Sequence, residues 1–452
     1  MSENLPNENS DKHKLLKLLN SGENVFITGV AGTGKSYLLS KLKELYKKQI
    51  IITSTTGISA VNIGGQTIHH WAGVECMETP VEDFCENIRN QNFGYFGKIK
   101  RRIRNCKILA IDEISMLSAY ALEYLDLVFK SARENNEPFG GIQVILIGDF
   151  LQLPPVATEL DIQRSENRAK YCFESIVWQN LDLKPILLKK IYRQTDLRFS
   201  NMLCNFRIGQ ITENDMKLLE KRFVDDDDLL NNKLHIFSKK IQVKCFNDKK
   251  LEELSTPIFD YKSYDEVFYP DDVENHQEYR YKMIHDLNKY CQAEQLLRLK
   301  VGARVMLLAN IDINSGLANG TCGTVEELAK SYAIVKFDNG LVKKIGSYLF
   351  EYQIDDIVLA KRFQLPLKLA YAVTIHKSQG MTFDEIVINC ASSFSPGQVY
   401  VGLSRVKTLN GLYITGFNPQ KMYPSNIARA FYLKLDDEEM EKFKEDLFRR
   451  YR

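Results

Sequence analysis

The chain has 452 residues, 44% of them hydrophobic and 26% charged, with a formal net charge of +2. Such a balance belongs to a soluble globular protein of about two to four domains, and it excludes a polycation that holds nucleic acid by bulk charge alone. No apolar run reaches the ~18 residues of a membrane span, which excludes a spanning helix, and no membrane is expected among the partners.

In chain order, the opening MSENLPNENSDKHK is polar and lacks the apolar core of a signal peptide, predicting a cytoplasmic protein, nucleoid-associated if the source is bacterial. The Cys residues stand singly with no C-x-x-C pair, predicting reduced thiols rather than a zinc site or a disulfide framework. NVFITGVAGTGKSYLLSKL reads as a buried strand over 24–28, a Gly-rich turn and a helix opening near Lys35. Within it, Gly29 to Ser36 spell G-x-x-x-x-G-K-S. The glycines turn backbone N–H groups toward phosphate oxygens, Lys35 reaches the β/γ-phosphates and the Ser36 hydroxyl ligates Mg²⁺.

TIHHWAG at 67–73 is echoed by TIHKSQG at 374–380. Between 74 and 104 lies NQNFGYFGK, with Phe93, Tyr95 and Phe96 beside the basic run KIKRRIR at 98–104. A charge run is usually a solvated face; this one becomes a DNA track only in company. KILAIDEISML then gives an apolar strand over 107–111 with Asp112 and Glu113 at its C-terminal end, where open α/β sheets place ligands. Asp112 suits Mg²⁺, and Glu113 the attacking water. A third strand, 143–148, leads through Gly148 and Asp149 to Gln152, placed to sense a γ-phosphate; Pro154 and Pro155 stiffen its exit.

Phosphoryl transfer builds charge that an Arg from another element neutralises. Arg193 follows a strand-like run, and Arg405 sits on a helix in GQVYVGLSRVKTL. The acidic stretches 225–228 and 265–278 separate these halves. Further strands are predicted at 234–238, 303–310 and 386–389, and the alternating runs of 320–350, with a turn at Asp338-Asn339-Gly340, predict a small antiparallel β-barrel. The C-terminal LDDEEMEKFKEDLFRRYR reads as an exposed charged helix.

Taken in order, GVAGTGKS, TSTTGISAVNIGGQTIHHWAG, IDEISM, GDFLQLPPV, YRQ, LAYAVTIHKSQGMT and VYVGLSRV resemble the superfamily-one DNA helicases of the PIF (petite integration frequency) type. The stretch 126–141 looks like that type's signature segment. The resemblance implies an α/β fold of two RecA-like P-loop NTPase lobes. The first lobe would span 1–73 and 105–196 around a wedge at 74–104. The second would span 197–319 and 360–452 around an SH3-like β-barrel at 320–359.

The implied activity is ATP-dependent 5′-to-3′ travel on single-stranded DNA and unwinding by lobe closure, with ATP and Mg²⁺ as cofactors. The implied partners are single-stranded DNA and forked or structured DNA, bound by a monomer. Carried over to this chain, Gly29, Ala31, Gly32, Thr33, Gly34, Lys35, Ser36 and Tyr37 hold the nucleotide, with Gln379 and Gly380 at its γ-phosphate. Ser36 and Asp112 hold metal. Lys35, Asp112, Glu113, Gln152, Arg193 and Arg405 form the catalytic set. The first lobe offers DNA Thr55, Gly57, Thr67, His69, His70, Trp71 and Pro154; the second offers Asn310, Thr374, His376, Lys377 and Ser378. Both Thr-Ile-His stretches thereby face DNA, gripping phosphate and sugar without reading bases. Relatives carry a Gln upstream of the phosphate loop; here that place holds Lys12 or a neighbour, and no Gln precedes the loop. Two further readings keep many of these motifs: a translocase that remodels protein–DNA complexes without unwinding, and a regulatory nucleotide switch. Preference among forks, G-quadruplexes and RNA–DNA hybrids is not written in the sequence.

Overall fold

The computed structural model describes residues 10–74, 77, 79–157, 170–225, 230, 233–269, 275–312, 315–354 and 357–435. The first residues of the polar N-terminus, most of the Asp run at 225–228, part of the acidic stretch 265–278 and the charged C-terminal helix lie outside them. The chain divides into two compact units, residues 1–226 with 375–452, and residues 227–374.

The first unit is built on six parallel strands: β1 (Val25–Gly29), β2 (Ile50–Ser54), β3 (Gln66–Thr67), β4 (Ile108–Asp112), β5 (Gln143–Ile147) and β6 (Lys184–Leu188), in the order β3-β2-β4-β5-β1-β6. Parallel strands need both faces covered, which is why these read as continuous apolar runs. Alternate side chains point to opposite faces. Val25, Ile27, Ile108, Ala110, Ile145 and Ile147 enter one core with Leu38, Leu39 and Leu42 of helix Lys35–Tyr46. Phe26, Leu109, Ile111, Val144 and Leu146 enter the other.

That second core is roofed by helices Val81–Asn90, Gly94–Asn105 and Ala119–Arg133. The longest begins at Ser118, whose hydroxyl accepts from Ala121 N at 3.2 Å. The segment 126–141 closes on itself: Asp126 Oδ1 accepts from Phe139 N at 2.7 Å, and Lys130 bridges Asp126 at 2.6 Å. The basic run is largely consumed in structure. Lys100 is buried and donates to Arg89 O, the Arg102 guanidinium lies 5.6 Å from the Trp71 ring centroid, and Arg104 pairs with Glu134.

Helix Asn426–Lys434 differs from the expected arrangement, which placed it with the second lobe. Its Ala428 and Tyr432 are buried in the first lobe's core, and Phe431 stacks on Phe173 at 4.2 Å between centroids. The order of motifs along the chain carries no address for the apolar face of such a helix. The same unit also holds a parallel pair, Ile386–Asn389 beside Leu412–Gly416.

The second unit contains a five-stranded antiparallel sheet of Arg304–Leu307, Cys322–Ala329, Tyr332–Phe337, Val342–Gly346 and Leu367–Leu369. Asn339 Oδ1 accepts from Leu341 N in the predicted turn, and Gly340 takes the left-handed φ of 87° that such a turn requires. A second antiparallel sheet joins Tyr264–Val267, Tyr348–Ile354 and Ile357–Gln364, clamped by a buried Arg362–Asp265 pair. Ala372–Thr374 pairs in parallel with His235–Phe237. A parallel α/β core with an added antiparallel region is the architecture of RecA-like lobes carrying an insertion. All cysteines among the described residues are free thiols. No helix among them is long and apolar enough to cross a membrane, and none of their His, Cys, Asp and Glu side chains cluster as a ready metal site.

Candidate active site

The C-terminal ends of β1, β4 and β5 converge, as they must when β5 lies between the other two. After β1, Gly32 and Gly34 adopt φ of 87° and 84°, a region closed to side chains without strain. A Cβ on Gly32 would stand 2.6 Å from the Cβ of Arg193, so the loop is also pressed against YRQ. Lys35 Nζ donates to Gly29 O at 2.7 Å and Val30 O at 3.0 Å, and Thr33 Oγ1 donates to Val30 O. Burial lowers the Lys35 pKa, while the charges of Asp149, Glu113 and Asp112 work the other way. Ser36 and Tyr37 are exposed at the start of the helix.

After β4, Asp112 Oδ1 accepts from Glu113 N at 2.9 Å and Oδ2 from Ser59 Oγ at 3.3 Å. Burial first, then the charge of Glu113, pushes Asp112 up. Glu113 itself sits at φ 53°, ψ 40°, a left-handed conformation unusual for a non-Gly residue that costs about 1 kcal/mol. Its Oε2 accepts from Gln379 Nε2 at 2.9 Å. The other end of that amide, Gln379 Oε1, is buried with no donor among the described residues, so it is an acceptor aimed at something else.

After β5, Gln152 Nε2 donates to Asp149 Oδ2 at 3.2 Å. Asp149 anchors a network that the sequence left unread. Arg207 grips it at 2.9 and 2.7 Å, and the Tyr432 hydroxyl donates to Oδ1 at 3.3 Å while meeting Thr28 Oγ1 at 2.7 Å. Arg207 and Lys35 hold the Asp149 carboxyl below its usual range despite burial. The Tyr400 hydroxyl, also unread, accepts from Ala31 N in the phosphate loop at 2.9 Å.

Opposite the phosphate loop stand the two arginines. Arg193 donates to Ser404 O at 3.1 Å, and Gln194 donates to Ser404 O and Val406 O, tying YRQ to the turn that carries Arg405. Arg405 is 1% exposed and donates to Val401 O at 2.7 Å and Ser404 Oγ at 2.7 Å. No carboxylate forms an ion pair with it among the described residues. Burial, aided by Arg193, lowers its pKa to about 9. A cavity of about 510 Å³ brings together Gly32, Lys35, Glu113, Gln152, Arg193 and Arg405, with Ala31, Gly34, Ser36, Tyr37 and Gly380 also on its wall. That is room for a nucleotide. Asp112 and Gln379 stand behind Glu113, and Gly29 and Thr33 shape the loop.

The Thr-Ile-His echo has a structural counterpart. In each copy a strand ends at the Thr and a one-turn helix begins at the Ile: Gln66–Thr67 into Ile68–Trp71, and Ala372–Thr374 into Ile375–Ser378. Thr67 Oγ1 caps its turn by accepting from His70 N at 3.2 Å. His69 is partly buried, and desolvation holds its pKa near 4, so it is neutral at ordinary pH. The His376 ring lies nearly parallel to exposed Phe394 at 6.1 Å, and Lys377 is exposed. Gly57 opens the helix Gly57–Asn62, Thr55 donates to Glu113 O, Pro154 is half-buried, and Asn310 accepts from Asn319 N.

Three of the residues expected to face DNA are buried. Trp71 is 6% exposed against Phe129, which makes it core, not a stacking platform. Ser378 is fully buried and donates to Ile375 O, and Thr374 is buried at its strand end. Of the three aromatics beside the basic run, Phe93 is 85% exposed, whereas Tyr95 donates to Gly73 O and Phe96 packs on Phe84.

Known proteins resemble this chain in sequence and fold. A family model described as PIF1-like helicase matches residues 9–217, and one described as DNA helicase Pif1, 2B domain, matches residues 283–328. ATP-dependent DNA helicase PIF1 of Danio rerio is 35% identical over 433 residues, which are 94% of this chain and 64% of that protein. ATP-dependent DNA helicase Pif1 of Bdellovibrio bacteriovorus is 34% identical over 423 residues, 93% of this chain and 90% of that one. The structure of Bacteroides Pif1 bound to ssDNA superposes with a TM-score of 0.71 at 31% identity, over 95% of this chain and 96% of that one. The chain therefore spans less than two thirds of the vertebrate relative and most of the bacterial one.

Proposed function

The chain belongs to the PIF1-like helicase family, and from that premise we propose that it is an ATP-dependent DNA helicase, travelling 5′ to 3′ on single-stranded DNA and opening duplex, forked or otherwise structured DNA. The observation that carries this reading is Arg405. A guanidinium buried to 1% exposure, beside a second arginine and without a carboxylate, is costly unless an anion meets it. A γ-phosphate in the cavity it shares with the phosphate loop is that anion.

In this reading the Lys35 ammonium leaves the Gly29 and Val30 carbonyls for the β/γ-phosphates. Glu113, steadied by Gln379, orients the water, and the buried Gln379 Oε1 accepts one of its protons in a hydrogen bond. Water attacks the γ-phosphorus, the bond to the ADP oxygen breaks, and Arg193 and Arg405 hold the charge that develops. Gln152, held on Asp149, registers whether the γ-phosphate is still there. Asp112 and Ser36 fit a Mg²⁺ ion, since the raised Asp112 carboxyl beside Glu113 is a buried acid pair that a divalent cation relieves. Bound there, Mg²⁺ would neutralise phosphate charge.

Thr67, His69 and His70 in one loop, and His376 and Lys377 in the other, grip the strand in alternation as the nucleotide turns over. The grip is sequence-blind, as a motor requires. Exposed Phe93, at the start of the Gly94–Asn105 helix, is the wedge residue of 74–104. The protein acts as a monomer in the cytoplasm, or on the nucleoid if bacterial. The test is unwinding of partial duplexes with a 5′ or a 3′ single-stranded tail, with Lys35→Ala as control. The reading expects unwinding of the 5′-tailed substrate alone and none by the variant. Single-strand-stimulated ATP hydrolysis without unwinding on either tail would leave a translocase; no stimulation by DNA would sink the motor altogether.

A further inference from the structure

An arginine that meets a γ-phosphate has to stand at a fixed place relative to the loop that holds the other phosphates, since an error of about 1 Å costs as much as a hundredfold in rate. In this chain the loop is Gly29–Ser36, and Arg405 comes from far along the sequence.

The Arg405 guanidinium does not set that place itself. It is bound to its own turn, donating to Val401 O and Ser404 Oγ, so it goes where the helix Gln398–Leu403 goes. Arg193 is different. Its backbone N donates to Gly32 O at 3.3 Å, and Tyr192 N does so at 2.8 Å, which ties it to the phosphate loop directly. The place of Arg405 depends on what holds its helix. The turn after the helix is held by Arg193 and Gln194, through the carbonyls of Ser404 and Val406. The start is held at Gly397, whose φ is 69° and where an added Cβ would stand 2.4 Å from Gln152 O. The middle is held by Tyr400.

Tyr400 is 3% exposed, and its hydroxyl accepts from Ala31 N at 2.9 Å. Burial first, then the charge of Asp149, raises the phenol, so the group is a neutral hydroxyl at ordinary pH. Ala31 is buried as well, and its amide needs an acceptor. Satisfying a core amide is the ordinary use of a buried tyrosine, and that use alone would contribute only stability. The placement of the two groups goes further. The amide belongs to the loop that cradles phosphate, and the tyrosine sits on the helix that leads to Arg405. One hydrogen bond therefore joins the two sides of the γ-phosphate site.

We propose that Tyr400 is a positioning residue for phosphoryl transfer: by accepting from Ala31 N it holds its helix, and with it the Arg405 guanidinium, in register with the phosphate loop. The inference rests on the nucleotide-site reading above and deepens it by one residue. ADP is held by the loop amides and Lys35, which need no such register, whereas the charge on a transferring γ-phosphoryl group does. Loss of the hydroxyl is felt in turnover rather than in nucleotide affinity.

The experiment measures phosphate release by the full chain with ATP, Mg²⁺ and saturating single-stranded DNA, in four proteins: the parent, Tyr400→Phe, Arg405→Met and the double variant. Tyr400→Phe is expected to lower kcat by about tenfold to a hundredfold, while KM for ATP and Kd for ADP stay within about threefold of the parent. In the Arg405→Met background the same substitution is expected to cost less than about threefold, because the group it positions is gone. A purely structural tyrosine would not show that dependence on Arg405. An equal fall in both backgrounds, an unchanged kcat, or a raised KM with kcat preserved would each overturn the proposal while leaving the ATPase reading intact. A parent without ATP turnover removes that reading instead, and the proposal with it. If Tyr400→Phe does not fold, Tyr400→fluorotyrosine keeps the ring and weakens its oxygen as an acceptor. It is then compared in the same two backgrounds, with a smaller fall expected in the parent background and none in the other.

Discussion

Replacing Arg405 by Met separates two effects that the buried guanidinium combines. Its charge is disfavoured by burial and by Arg193, enough to lower its pKa to about 9. Below pH 9 the group is charged in both folded and unfolded chains, so the penalty is present in full at neutral pH, on the order of several kcal/mol. The side chain recovers part of it through hydrogen bonds to Val401 O and Ser404 Oγ. Met fills a similar volume and has no charge to desolvate, so the variant is expected to unfold at the same temperature as the parent or higher. Catalysis moves the opposite way. A transition-state arginine contributes about 10³–10⁵ to kcat, and Arg193 shares the load here, so a fall of about 10³ is expected, with ADP affinity changed less than tenfold. Thermal melts give the first quantity, and phosphate release with single-stranded DNA gives the second. A third measurement links them: ADP with aluminium fluoride should raise the parent's melting temperature more than the variant's. A variant that hydrolyses ATP within tenfold of the parent would refute the role of Arg405, whatever its stability.

Three more outcomes follow from other parts of the molecule. Tyr432→Phe removes a hydroxyl that meets Thr28 and Asp149 and accepts from Phe150 N, and should cost about 1–3 kcal/mol in a urea melt; no change in midpoint would mean that the network carries no stability. Phe93→Ala, at an 85% exposed position, should leave melting and single-strand-stimulated ATP turnover alone while slowing forked-duplex unwinding; equal unwinding rates would exclude it as a wedge. His69 has a folded pKa lowered to about 4, so the unfolded chain takes up its proton first as pH falls. Its contribution is therefore a loss of stability between about pH 6.5 and 4, about 3 kcal/mol by the lower end, which His69→Gln should lessen in melts across that window; identical pH profiles for the two proteins would contradict it.

What could be read from the residues, and what could not, divides along a physical line. β1, β4 and β5 were legible because strands buried on both faces must be apolar throughout, and the polar groups that follow them, Lys35, Asp112, Glu113 and Gln152, stand out against that run. The turn at Asn339-Gly340 was legible because few residues accept its φ. The burial of Trp71, Ser378 and Thr374 was not legible, because a polar or aromatic residue in a functional stretch carries no mark of which way its side chain turns.

The unread part consists of partners distant along the chain. Gln379 meets Glu113 across 266 positions, and Tyr432 meets Thr28 across 404. Local periodicity reports that a face is apolar, never what covers it, so helix Asn426–Lys434 was assigned by its place in the order of motifs. Its actual seat has a mechanical consequence. Tyr432 touches Thr28 at the end of β1 and Asp149 at the end of β5, and Asp149 in turn holds Gln152 and Arg207. On the proposed reading, loss of a γ-phosphate at Gln152 is felt one hydrogen bond away by a carboxylate that joins the helix Leu197–Ile208 to the helix Asn426–Lys434. Two elements from opposite ends of the motif order are tied to one buried Asp, and a rigid charge-paired joint of that kind passes on a displacement that a surface contact would absorb.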